Sequence, residues 1–213
     1  MADTGWISPG TMASDSSSGG TRPWANPDNA KLSNNTYATS AGTPSGGSSY
    51  YLKATNFGFA IPAGATIDGI KVQFERKRGA TANVSDWKIY IIKASGAYGT
   101  QNKSGGWNWT TTEGYVEFGD ETDLWGEVWG AVDINDSNFG VGLAVGLDPL
   151  TVAYVDHIRI KVYYTEVALT NMKINIGDTF KDVDEIKVNI GDVWKTVIKI
   201  QINIGDVWKN IFG

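Results

Sequence analysis

The sequence predicts an all-β protein, an antiparallel β-sandwich of jelly-roll-like form with a C-terminal β-hairpin repeat extension. Three observations carry this. Apolar residues alternate with period two between residues 49 and 166, no segment shows the i, i+3, i+4, i+7 spacing of an amphipathic helix, and the last part of the chain repeats a strand–turn–strand unit. A chain of 213 residues with 41% hydrophobic and 12% aromatic side chains can bury a core, and this composition excludes a disordered chain. The 26 Gly and nine Trp point to turns and to flat backbone with rings laid over it.

Residues 1–48 are rich in Gly, Ser, Thr, Asn and Pro, as in Ser14-Asp15-Ser16-Ser17-Ser18-Gly19-Gly20. So little apolar area offsets the entropy of ordering that the expectation is an arm with loops. Trp6, Trp24 and Tyr37 are the residues placed to pin it onto the domain or onto a neighbouring subunit. In residues 49–166, Ile70, Val72 and Phe74 face one way and Lys71, Gln73 and Glu75 the other, and Trp87, Ile89 and Ile91 alternate with Lys88, Tyr90 and Ile92. Ile158, Ile160, Val162 and Tyr164 form the buried face of a further strand, opposite His157, Arg159, Lys161 and Tyr163. Phe139, Val141, Leu143 and Val145 alternate with Gly140, Gly142, Ala144 and Gly146. That strand has one packed face and one nearly bare, where a ring or another chain can come close.

Residues 167–213 hold the clearest signal. Gly177, Gly191 and Gly205 stand fourteen residues apart, inside Lys173-Ile174-Asn175-Ile176-Gly177-Asp178-Thr179-Phe180-Lys181 and its two near-copies. Gly-Asp suits a two-residue type II′ hairpin turn, which pairs Ile190 with Val193, Asn189 with Trp194, Val188 with Lys195 and Ile186 with Val197. Isolated hairpins are marginal in water and leave edges that must be paired. The sequence therefore predicts a homo-oligomer, with Phe180, Trp194 and Trp208 as aromatic anchors and Ile176, Ile190 and Ile204 as a stacked aliphatic row.

The repeats Lys187–Lys195 and Gln201–Lys209 resemble the short V-N-G-x-W-K hairpin repeats near the C-termini of tailed-bacteriophage virion proteins, with Ile-Gly-Asp where those have Gly. The preceding domain, through Trp24–Ala30, Ile61–Ile70 and Asp123–Gly126, is similar to β-sandwich domains of phage surface and decoration proteins. The resemblance implies a non-enzymatic virion building block, in a capsid decoration, head fibre or tail component, touching other virion proteins. The alternative is a carbohydrate-binding module or receptor-binding adhesin, with Trp107, Trp109, Trp125 and Trp129 as the possible contacts to a surface glycan.

Other chemistries are disfavoured. A net charge of −5 leaves no cationic field for nucleic acid. No apolar run is long enough to span a membrane, and the first residues show no signal-peptide pattern, which for a virion protein means synthesis in the host cytoplasm. Zero Cys excludes thiolate metal sites and disulfides. His157, the one histidine, reads as an exposed strand residue rather than a metal ligand or a member of a Ser-His-Asp triad. Asp133–Asn138 offers oxygens at alternate positions but lacks the Gly and Glu of a calcium loop, so it reads as an Asx-rich turn. The acidic group Glu113, Glu117, Asp120, Glu121 and Asp123 reads as turn solvation rather than a glycosidase pair, and the basic run Glu75-Arg76-Lys77-Arg78 as a solvated strand end. No cofactor is expected.

Overall fold

The computed structural model describes residues 1–106 and 108–166 and, within 167–213, the backbone of six strands. Two antiparallel sheets pack face to face. The first has β10 (Val152–Thr165) at its centre, paired to β6 (Thr66–Arg78), which in turn pairs with β8 (Gly114–Phe118); β1 (Ala2–Asp3) and β3 (Ala38–Ala41) pair with the other edge of β10. The second is built on β9 (Gly140–Leu147), between β7 (Val84–Ile92) on one side and β5 (Tyr51–Thr55) with β4 (Gly47–Ser48) on the other; β2 (Thr11–Asp15) pairs with β5. Successive strands mostly cross from one sheet to the other, the connectivity that makes the sandwich jelly-roll-like.

The period-two pattern sets which faces meet. Register places Ile158 opposite Phe74, Ile160 opposite Val72 and Val162 opposite Ile70, all fully buried. Facing them, Leu143 lies between Leu52 and Ile89, with Val141 beside Ala54 and Ile91. Each such buried aliphatic side chain contributes roughly 1.5–3 kcal/mol of burial. The edge of β7 is not left open: Gly99, Lys103 and Trp109 donate backbone N–H bonds to Ile91, Ile89 and Val84 at 2.8, 2.9 and 2.7 Å.

Four expectations are corrected here. Residues 1–48 are not an arm, because β1 to β4 hydrogen-bond into both sheets and Trp24, 3% exposed, donates its indole N–H to the Tyr50 carbonyl at 2.8 Å. Backbone pairing and one well-held ring order a segment that has little apolar area, and the sandwich therefore runs from residue 1 to 166. Trp87 does not share a face with Ile89, because the register shifts between Asp86 and Lys88 and leaves Trp87 as the extra residue of a β-bulge. The bulge turns Asp86 inward. Arg76 is likewise no solvated strand end: it continues the inward parity of Val72 and Phe74 and pairs bidentately with Asp86, their side chains 4% and 0% exposed. His157, finally, is buried rather than exposed.

A single α-helical turn, α1 (Ala131–Ile134), stands among the described residues. Its Asp133 accepts from Gly130 N, Asn135 brackets the backbone of Ile61, and Asp136 accepts from Asn138 N, so these oxygens close turns as the Asx reading expects.

The C-terminal repeats form three two-stranded antiparallel sheets: β11 (Lys173–Ile176) with β12 (Thr179–Asp182), β13 (Lys187–Ile190) with β14 (Val193–Thr196), and β15 (Ile200–Ile204) with β16 (Val207–Phe212). Ile190 pairs with Val193, Asn189 with Trp194 and Val188 with Lys195, the register that a two-residue Gly-Asp turn dictates. The pairing of Ile186 with Val197, and what Phe180, Trp194, Trp208, Ile176, Ile190 and Ile204 pack against, lie outside the described residues.

Candidate functional site

Of the four Trp residues that the alternative reading names as possible glycan contacts, three are core. Trp109 is 3% exposed and donates to Asp86 at 2.9 Å, and Trp129 is 8% exposed and donates to the Leu124 carbonyl at 2.9 Å. Trp125 is fully buried, donates to the Ile70 carbonyl at 2.9 Å, and holds a left-handed backbone at φ 57°. A bulky residue adopts that region only where its surroundings over-determine it. None of the three offers a face to a ligand; Trp107 lies outside the described residues. The bare strand face predicted at β9 exists, and rings do come close to it. They belong to this chain: Tyr98 and Tyr51 stack at 4.2 Å over Gly142, and the Tyr98 hydroxyl donates to Asp15 at 3.1 Å. Burial pushes the Tyr51 hydroxyl up to about 12 and raises that of Tyr98, where Asp15 adds to the effect.

The outer face of the β10 sheet is different. β10, β6 and β8 bring Arg159, Gln73 and Glu117 into one cross-strand row. Arg159 Nε donates to Gln73 Oε1 at 2.6 Å, the Gln73 amide donates to Glu117, and Lys71 lies 3.3 Å from Glu117. Only one orientation of the Gln73 amide serves both neighbours, so the row is directional. The Gln73 amide, and then Lys71, hold the Glu117 carboxyl below the usual carboxylate range. Aromatic rings frame the row. The Arg159 guanidinium carbon lies 4.0 Å from the Tyr115 ring centroid and 4.9 Å from that of Trp6, which reaches over from the strand-like segment bonded beside Ile160. Lys161 approaches Trp6 at 5.3 Å and Tyr163 at 5.9 Å. Trp6, Tyr115, Arg159, Lys161 and Tyr163 are all partly exposed.

No family model matches this chain, and no curated protein does. Among solved structures it is similar to the CBM22-1 xylan-binding domain from Paenibacillus barcinonensis Xyn10C, at 11% identity over 76% of this chain and 88% of that one, with a TM-score of 0.37. The CBM22-1–CBM22-2 tandem of the same protein is similar at 13% identity, over 90% of this chain and 53% of that one, with a TM-score of 0.37. The N-terminal cellulose-binding domain from Cellulomonas fimi β-1,4-glucanase C is similar at 12% identity, over 78% and 96% of the two chains, with a TM-score of 0.30. Likenesses this distant carry no argument about function, which has to come from the side chains of the face.

Beside that face, His157 is enclosed. A register shift between Val155 and His157 makes Asp156 the extra residue, so the two do not point to opposite faces as plain alternation implies. His157 Nε2 meets Ser8 Oγ at 2.8 Å and Nδ1 meets the Tyr115 hydroxyl at 2.9 Å, and burial, then the Arg159 charge, lower its basicity. It thereby pins the N-terminal segment and β8 to β10. Asp156 accepts backbone N–H bonds from Asn34, Asn35 and Thr36 at 3.0, 3.0 and 3.1 Å.

One oxygen from each of Glu75, Glu113 and Asp156 lies within 4.8 Å of the others, the one such acidic group among the described residues. Asp156 is held by the backbone donors just named, and Glu113 by Lys77 at 2.8 Å and the Tyr37 hydroxyl at 2.6 Å, which together hold the Lys77 ammonium up to about 12. The chain's own donors thus answer most of this charge. In the acidic run 113–123, Asp120 accepts from Thr122 and Asp123 pairs with Lys103 at 2.5 Å. Sequence reading misses the Trp6–Arg159–Tyr115 constellation because it depends on register. Parity alone places Gln73 and Arg159 on polar faces, but nothing in the alternation aligns them across strands.

Proposed function

We propose that this protein is a non-catalytic glycan-binding module whose ligand lies on the outer face of the β10 sheet. The observation that supports this best is the Arg159–Gln73–Glu117 row framed by Trp6 and Tyr115. A pyranose presents an apolar C–H face and a rim of hydroxyls. Aromatic rings meet the first, and planar charged or amide groups locked in a fixed plane meet the second in pairs of hydrogen bonds. A face made in advance by its own hydrogen bonds loses little freedom on binding. Affinity electrophoresis in gels containing xylan or soluble cellulose derivatives, with tryptophan fluorescence titration, tests the proposal. Trp6→Ala should weaken binding at least about tenfold, the scale of one anchoring aromatic, whereas Trp87→Ala, a partly exposed ring on the other sheet, should leave it unchanged. Failure to bind any member of a broad polysaccharide panel overturns the reading.

A second reading has its own support. Three hairpins in one repeated register favour assembly through β-edges, as a virion decoration, head fibre or tail component working among other virion proteins. On this reading the full chain is an oligomer by light scattering and residues 1–166 are a folded monomer; a monomeric full chain counts against it. The two readings are compatible, since a virion protein can carry a glycan-binding face.

A further inference from the structure

The four cations on the outer face of the β10 sheet differ in one respect. Lys77, Lys71 and Lys161 each have a carboxylate, from Glu113 at 2.8 Å, Glu117 at 3.3 Å and Asp3 at 3.7 Å. Arg159 has none among the described residues: its Nε donates to Gln73, and neither of its Nη groups is matched to an acceptor. The Tyr115 and Trp6 rings lie against the guanidinium, which is partly buried, and the Gln73–Glu117–Lys71 relay holds its plane.

We infer that Arg159 receives a carboxylate of the ligand, so that the face selects acidic, uronate-bearing glycans over neutral ones; the inference rests on the glycan-binding reading above. The two Nη groups form a fork that matches a carboxylate in two parallel hydrogen bonds, whereas sugar hydroxyls fill it with neutral and less directional acceptors. A partly desolvated guanidinium with no carboxylate in direct contact among the described residues, and Glu117 reached only through Gln73, gains most from a partner that carries the opposite charge. Trp6 and Tyr115 then take the pyranose rings on either side of the carboxylate.

The test is isothermal titration of the full chain with two probes: a xylo-oligosaccharide bearing one glucuronic acid branch, and the same oligosaccharide without it. The branched probe should bind at least about tenfold more tightly at low salt, the scale of one charge-assisted bidentate contact. That preference should shrink as salt rises. Arg159→Gln should abolish the preference, leaving the branched and neutral probes equal in affinity, and Arg159→Lys, which keeps the charge but loses the fork, should retain only part of it. Equal affinity of the intact protein for both probes overturns the inference and leaves the glycan-binding reading standing. Binding of neither probe overturns the inference, and failure to bind any polysaccharide of the wider panel as well overturns both.

Discussion

The Arg76–Asp86 pair shows how much a single side chain can decide in this sandwich. Both groups lie between the sheets, Trp109 donates a further bond to Asp86, and the Arg76 guanidinium carbon sits 4.5 Å from the Trp109 ring centroid. Removing the carboxylate strands a buried cation, so Asp86→Ala should cost about 3–5 kcal/mol in urea unfolding. A paired exchange of Arg76 and Asp86 to Met and Leu should lose less than that single change, because no charge is then left alone. His157 makes a prediction with a definite sign. Its folded-state pKa is lowered by burial and by Arg159, so the fold refuses a proton that the unfolded chain takes up near pH 6.5. Its contribution is whole above that pH and is lost as pH falls through the window down to the lowered value. Urea midpoints should drop between pH 8 and pH 5.5, and His157→Gln, which can still bond Ser8 and Tyr115, should flatten that drop. An unchanged pH slope in His157→Gln would contradict this assignment.

At the scale of elements, β9 carries the most crowded glycine, Gly140, and a second, Gly142, crowded only by side chains. A Cβ on Gly140 would stand 1.9 Å from the Ala54 carbonyl oxygen, a backbone atom of the neighbouring strand that cannot swing away. A Cβ on Gly142 would meet the Tyr98 ring at 2.5 Å, the far end of a side chain that can tilt. Gly140→Ala should therefore destabilise by about 3 kcal/mol or more and Gly142→Ala by about 1–2 kcal/mol, a ranking that thermal unfolding can check. These strands were legible: alternation located the buried faces of β6, β9 and β10, and the Gly-Asp spacing yielded the hairpin register of β13 and β14 residue by residue. The bulges were not. An extra residue at Trp87 and at Asp156 breaks the parity that a plain period-two reading extends, so Asp86 turned inward unannounced, and His157, expected on the outer face, was enclosed rather than exposed. Sequence left Trp109, Trp125 and Trp129 open between packing and glycan contact, since a ring in a Gly-punctuated loop reads the same whether the loop folds over the core or away from it; the fold packs all three.

For the whole molecule, the first 48 residues change the picture most. They read as an arm because their apolar content is low, yet they supply strands to both sheets and bring Trp6 to the outer face. Without that segment the β10 edge would be bare and Arg159 would lose one of its two rings, so the site is completed by the part of the chain that looked least ordered. Fold class was visible from the pattern of strands and turns; the site was not, because it is assembled from the N-terminal segment, β6, β8 and β10 by pairings of long sequence separation. The charge balance fits this division of labour: an acidic molecule overall, with a ring-flanked arginine that has no carboxylate in contact among the described residues on a single face. The most direct measurement is hydrogen–deuterium exchange of the full chain with and without a bound oligosaccharide. Protection confined to residues 3–8, 69–77, 114–118 and 157–163 is the predicted result. Protection along β5, β7 and β9 instead, or none anywhere at saturating ligand, would contradict it.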